Sequence, residues 1–316
     1  MTGIVTRLRG QRAVVALVAF VVLVLVNVIL QPAFFQPAIM QSNLTTFLPL
    51  VLVAIGQTYV VLGGDIDLSV GSIIALVNVV AVSVMAAMGG QSTEAALAGM
   101  AAGIAAGLCA GAFNGVCVAF LRFQPIVTTF ATGIIFAGLA LWVLPQAGLA
   151  VPDFYWQGYA GRLLGVPTVA WILLATIAAV VFVQLRPFHK HLAAVGGNRA
   201  GAFQTGLGVA GIRLGSFCLS GLCAALTALC LIGETASGDP LMGQSLALSS
   251  ISAVVLGGTA LSGGSGGALG SVLGALVLGM IGSVIFFAHL PFEYQTVVQG
   301  LIVLAALASG VLVTSR

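Results

Sequence analysis

Charge is what this chain has least of: 5% of its 316 residues are charged, while 60% are hydrophobic. A soluble domain carries roughly a quarter charged residues, so a water-soluble globular fold is excluded. Lysine occurs once, at Lys190, and no G-x-x-x-x-G-K-[ST] motif surrounds it, so the chain is no P-loop ATPase by itself. Five cysteines (Cys109, Cys117, Cys218, Cys223, Cys230) lie in apolar runs without a C-x-x-C pair, which reads as small apolar filler. No H-E-x-x-H motif is present, and His189 with His191 forms an isolated H-x-H. No metal, no cofactor and no catalytic cluster is therefore expected. The alternation of a membrane β-barrel is missing too.

What is there is a succession of apolar runs from residue 13 to residue 313. They predict an all-α polytopic membrane protein, one transmembrane domain over 1–316, with about ten segments. The expected spans are 13–30, 44–62, 70–88, 94–120, 126–144, 167–185, 212–233, 246–257, 268–288 and 296–313. The eighth is too short to cross alone and reads as a half-helix or re-entrant piece. Arg7, Arg9 and Arg12 precede a run too long for a cleaved signal, so residues 1–12 are read as a cytoplasmic N-terminus. Alternating from there puts Arg122, Arg186, Lys190, Arg199, Arg213 and Arg316 inside and leaves Arg162 alone outside. That bias places both termini in the cytoplasm.

The pentapeptide VVLGG occurs twice, at Val60–Gly64 and Val254–Gly258, each time followed by Leu-Ser and a Gly/Ser-rich stretch. Two related, interrupted hydrophobic segments point to a transporter core. Only the first copy carries acids, Asp65 and Asp67. Two carboxylates between apolar runs are costly at membrane depth unless they face a cavity or an irregular backbone that donates to them. Asp65, Asp67 and Ser69 are therefore candidates for the translocation path or its gate, and the competing reading is a helix cap in a cytoplasmic turn, formed by Asp67 or Ser69. Gln57, Asn78, Asn114, Thr128 and Thr129 are further polar groups on membrane segments, either along a solute path or in helix packing. Glycines at 99, 103, 107, 111 and 115 line one helix face, and 266, 270 and 274 repeat the device. Such ridges let backbones approach closely. The long loop 145–166 is aromatic, and with Asp153, Glu234 and Asp239 it is a candidate platform for an outside partner. The basic loop 186–211 favours a lipid surface or a cytosolic partner, and nothing points to nucleic acid.

The block GGDIDLSVGS resembles the signature of the ribose/xylose-type permeases of bacterial ATP-binding-cassette (ABC) sugar importers. The likeness continues through FQPIVTTFATG at Phe123–Gly133, AVGGNRAGAFQTGLGV at Ala194–Val209, SGDPLMG at Ser237–Gly243 and ISAVVLGGTALSGGSGGALGSVLGALVLG at Ile251–Gly279. These blocks keep the family's order across nearly the whole chain. The resemblance implies a non-enzymatic inner (plasma) membrane subunit that imports a monosaccharide or sugar-like solute by alternating access. It implies as partners separate cytosolic ATPase subunits, a periplasmic or lipoprotein sugar-binding protein and a second permease subunit. It also implies that Gly196, Gly197, Asn198 and Gly206 form the ATPase-coupling loop. Arg199, Ala200 and Gly201 depart from the acidic residues that the family often has there, and Ala137-Gly138-Leu139 departs from its Arg-Gly. An ion-coupled secondary transporter using Asp65 and Asp67 is the alternative.

Overall fold

A computed structural model describes residues 2–304 apart from 292, 299 and 303, with side chains from Ala16 onward. The chain begins with α1 (Thr2–Leu30), α2 (Pro37–Leu62), α3 (Val70–Ala87) and α4 (Thr93–Gly115). Then follow α5 (Pro125–Val143), α6 (Asp153–Ala160), α7 (Thr168–Leu185), α8 (Pro187–Gly197) and α9 (Arg199–Gln204). The last are α10 (Val209–Thr235), α11 (Leu246–Leu256) and α12 (Ala268–Phe287). Proline at the first turn of α2, α5 and α8 suits a position with no intrahelical N–H partner. Ser92 caps α4 through the N–H of Ala95, and α4 runs on into a π-helical turn, Val116–Phe120. Two short antiparallel pairs complete the far loops: β1 (Leu149–Ala150) with β4 (Ser237–Gly238), and β2 (Arg162–Leu163) with β3 (Val166–Pro167).

Among the described residues, seven helices are long and apolar enough to cross a membrane: α2, α3, α4 with its π turn, α5, α7, α10 and α12. Two shorter apolar stretches, Ala16–Leu30 and Leu246–Leu256, add to them. The protein is a multi-pass membrane protein. The expected segment 296–313 lies largely outside the described residues. The most apolar window of α2 is 83% buried and that of α7 only 11%, so α2 is the axis of the bundle and α7 lies on its surface.

The glycine ridge of α4 is consumed inside the bundle. A Cβ at Gly99 or Gly103 would strike Ala81 and its neighbours on α3, and one at Gly107 or Gly111 would strike Gly221 on α10. Gly270 and Gly274 likewise bring α12 onto Gly257 and Ala253 of α11. Close backbone approach therefore holds α3, α4 and α10 together, where bulkier side chains would separate them.

Candidate functional site

Both VVLGG copies end their helices by the same hydrogen-bond pattern. In the first, Gly63, Gly64 and Asp65 donate to Tyr59, Val61 and Val60. In the second, Gly257, Gly258 and Thr259 donate to Ala253, Val255 and Val254. The second glycine is left-handed in each, at φ 79° for Gly64 and 86° for Gly258. This is the Schellman termination, in which only glycine takes that conformation without a Cβ penalty.

The two terminations touch. The Gly264 N–H donates to the Leu62 carbonyl at 2.9 Å, and Gly263 lies against Gly64. Gly196, at the end of α8, is wedged between them: a Cβ there would collide with the Leu62 carbonyl and the Gly264 nitrogen. Asn198 then turns the chain and caps α9, its Oδ1 accepting from the Gly201 N–H at 2.9 Å. Gly206 closes α9 with a left-handed φ of 83°. The candidate coupling residues Gly196, Gly197, Asn198 and Gly206 thus belong to a segment seated on both breaks.

Asp65 is fastened to that segment. Its carboxylate accepts from Arg199 Nη2 at 2.6 Å and from Arg213 Nε and Nη2 at 2.8 and 2.9 Å. Arg199 also reaches the Gly64 carbonyl at 2.9 Å. Asp65 and Arg213 are buried, whereas the Arg199 side chain is 42% exposed. Sequence reasoning treated Asp65 as a path or gate residue and missed both arginines as its partners. The signal was present: Arg199 stood out as a departure, and Arg213 lies in an otherwise apolar stretch. Arg122, at φ 59°, joins Arg199 and Arg213 around a cleft of about 780 Å³ beside α9.

Asp67 lies elsewhere. Its carboxylate accepts from the Ser69 N–H at 2.9 Å, the Ser69 hydroxyl at 2.6 Å and the Ser220 hydroxyl at 3.0 Å. Ser220 follows Arg213 by about two turns, about 10 Å along the axis of α10, an interval that the long Arg213 side chain and the two residues from Asp65 to Asp67 bridge together. Ser220 itself lies about 16 Å from the start of α10, a helix of about 40 Å. Asp67 is fully buried, so this carboxylate lies inside the bundle and not at its surface. Its fit to the cap reading is partial, since Asp67 does bond Ser69, the residue before α3.

Around Asp67 the structure gathers Ser69, Asn114 and Thr129. Asn114 Nδ2 donates to the Ser69 hydroxyl at 2.7 Å. The Thr129 hydroxyl accepts from the Leu68 N–H at 3.0 Å and reaches the Ile66 carbonyl at 3.2 Å. Ser220 is the member that sequence reasoning overlooked, because one serine among many small residues carries no signal. Thr128 is not part of the cluster and bonds its own helix at Gln124. Gln57 is fully buried and neither end of its amide has a partner among the described residues. Its neighbour Gly56 packs on Ser220 and Cys223, which puts Gln57 at the same depth.

A second non-helical segment descends from the far end to meet the first. The Asp239 N–H donates to Asn78 Oδ1 at 2.8 Å, and the Gly243 carbonyl lies against Gly71 in the first turn of α3. Both α3 and α11 therefore begin inside the bundle. Irregular backbone at this depth is tolerated only where protein or a polar cavity satisfies it.

The far-end carboxylates of Asp153, Glu234 and Asp239 take no part in these bonds. Asp153 begins α6 and accepts from Trp156 Nε1 at 3.3 Å, while Glu234 accepts from the Thr46 hydroxyl at 3.1 Å. Asp239 Oδ1 takes the Leu241 N–H at 2.8 Å. The pairing of β1 with β4 brings their loops together at the end of α10 opposite Arg213.

Known proteins are similar along almost the whole chain. The family described as "Branched-chain amino acid transport system / permease component" matches residues 39–307. The chain is 35% identical to the ribose import permease protein of Bacillus subtilis, covering 90% of this chain and 88% of that one. It is 36% identical to the L-arabinose transport system permease protein of Escherichia coli over 81% of this chain and 77% of the relative. Against the autoinducer 2 import system permease protein of Escherichia coli the identity is 32%, covering 95% and 87%.

Proposed function

The chain belongs to this family of transport-system permease components, which are transport subunits and not enzymes, and from that premise we propose a specific role for it. It is the transmembrane permease of an ABC importer in a bacterial inner membrane, passing a monosaccharide or sugar-like solute inward by alternating access. Separate ATPase subunits act on the α8–α9 segment from the cytoplasm, which puts both termini and the VVLGG breaks on that side. A solute-binding protein docks at the Asp153, Glu234 and Asp239 end, and a second permease subunit completes the path.

The observation that carries this reading is the seat of Gly196 between the two breaks, with Arg199 clasping Asp65. A displacement of α8–α9 reaches Gly64 directly, and within a few residues the same backbone carries Asp67, buried inside the bundle. Alternating access needs such a rigid connection between motor and path. The chemistry of the buried cluster supports a neutral polyol. Hydroxyl and amide groups gather around the Asp67 carboxylate, whereas a zwitterionic amino acid also calls for a cation, and Arg213 is already held by Asp65.

Reconstitution with the cognate ATPase and binding protein tests the proposal: uptake should depend strictly on ATP and on both partners. Uptake driven by an imposed ion gradient without ATP would overturn it in favour of the ion-coupled reading. Replacing Asn198 and Gly206 together should release the ATPase while the permease stays folded in the membrane. Unchanged co-purification would remove the docking role of that segment.

A further inference from the structure

An open apolar groove of about 390 Å³ runs between α4, α7 and α10, away from the breaks. Leu108, Val183 and Phe188 form its sides, and Gly215, Cys218 and Leu222 form its floor. The floor residues recur at helical spacing along one face of α10, so the groove extends for about 10 Å. Gly215 lets the Phe188 ring close onto α10 as a wall of the groove, since a Cβ there would come within 3.0 Å of that ring.

One end of this groove is cationic. Arg186 follows the last residue of α7, at the edge of a membrane span. Its guanidinium stands 4.2 Å from the Phe182 ring centroid, which fixes it at the groove mouth. Lys190 is exposed one turn along α8. Both ion pairs among the described residues belong to Asp65, so neither Arg186 nor Lys190 has a carboxylate partner there. A charge at the membrane boundary with an apolar furrow leading inward has the outline of an amphiphile. Basic groups between transmembrane helices on one side of a bilayer attract anionic head groups.

We propose that this groove holds an acyl chain of an anionic glycerophospholipid, with its phosphate on Arg186. The groove does not depend on what the permease transports, so the site stands or falls apart from the importer reading.

Native mass spectrometry of the purified full chain, offered phosphatidylglycerol or phosphatidylcholine with the same acyl chains, tests this. The wild type should retain phosphatidylglycerol about fivefold better, as expected of one basic residue beside an anionic surface. Arg186→Gln should bring the two lipids to parity, and Arg162→Gln at the opposite end should leave the preference intact. Cys218→Phe, which fills the furrow, should lower retention of both lipids. Equal retention by the wild type, an unchanged preference in Arg186→Gln, or unchanged retention in Cys218→Phe overturns the site. Should the variants fail to fold, phosphatidylglycerol with a photoactivatable acyl chain decides on the wild type alone. Label within 215–222 supports the site, and label only elsewhere overturns it. Self-cross-linking through Cys218 in lipid-stripped protein would assign the face to a second copy and refute the lipid.

Discussion

The two VVLGG breaks begin alike and then diverge. Three successive amides bond to equivalent carbonyls in both, and the second glycine is left-handed in both. Beyond that point the first break carries Asp65 and turns inward to bond Ser220 of α10 through Asp67, whereas the second carries Thr259 and stays near the junction, with Gly263 and Gly264 against Gly64 and Gly197. The shared part is a backbone device for ending a helix, fixed by glycine chemistry. The unshared part is electrostatic. Under the proposed function, one copy would be the moving connection between the α8–α9 segment and the interior, and the other the surface it bears on.

The sharpest way to break this pairing is at the contact itself. Gly196→Val puts a branched side chain where the Leu62 carbonyl and Gly264 nitrogen lie, so both breaks must separate. Overpacking of this kind costs about 1–3 kcal/mol and more where backbone cannot yield. The expected outcome is loss of folded protein on size exclusion, and a normal elution profile would show that the junction is looser than described.

Next comes the asymmetry of charge. Asp65→Asn leaves Arg213 buried without its counter-ion, and breaking such a pair costs about 3–5 kcal/mol. Arg199→Gln should cost far less, about 1 kcal/mol or below, because that side chain is 42% exposed. Thermal unfolding in detergent should rank the two in that order. Equal losses would mean that Arg199, not Arg213, anchors the aspartate.

Asp67→Asn keeps the shape but weakens bonds that the charge had strengthened. Uptake should fall severalfold with little change in thermal stability, while Asp153→Asn transports at the wild-type rate. Matching rates for these two variants would deny the deep carboxylate a part in transport. Smallest in its effect on transport, Thr259→Val in the second break removes the bond from the Gly267 N–H to its hydroxyl, 3.3 Å long. Its cost should be about 0.5–1.5 kcal/mol in thermal stability, with coupling of ATP hydrolysis to uptake unchanged.

Much of the architecture was legible because hydrophobic periodicity and glycine are strong local signals. The expected spans 70–88 and 126–144 became Val70–Ala87 and Pro125–Val143, and the short eighth segment became the eleven-residue α11. The duplicated pentapeptide announced two interrupted helices. What local patterning could not convey was depth and partnership. Asp65 and Asp67 are two residues apart and look equivalent in the sequence, yet one meets guanidinium groups near the start of α10 and the other meets hydroxyls two turns further in. Arg199 and Arg213 are more than a hundred positions away from Asp65, so no spacing rule joins them. Gln57, Thr128 and Thr129 show the same limit. All three are polar residues on apolar helices, but of them only Thr129 is hydrogen-bonded to the break.

The bare-backbone contact among Gly64, Gly196 and Gly264 has a mechanical consequence. Side chains absorb small displacements by changing rotamer, and here there are none to do so. A shift of α8 is therefore transmitted without slack, and the Leu62–Gly264 hydrogen bond becomes a stiff bearing between the two halves of the molecule. Such a joint offers no gradual adjustment: it either holds its register or comes apart.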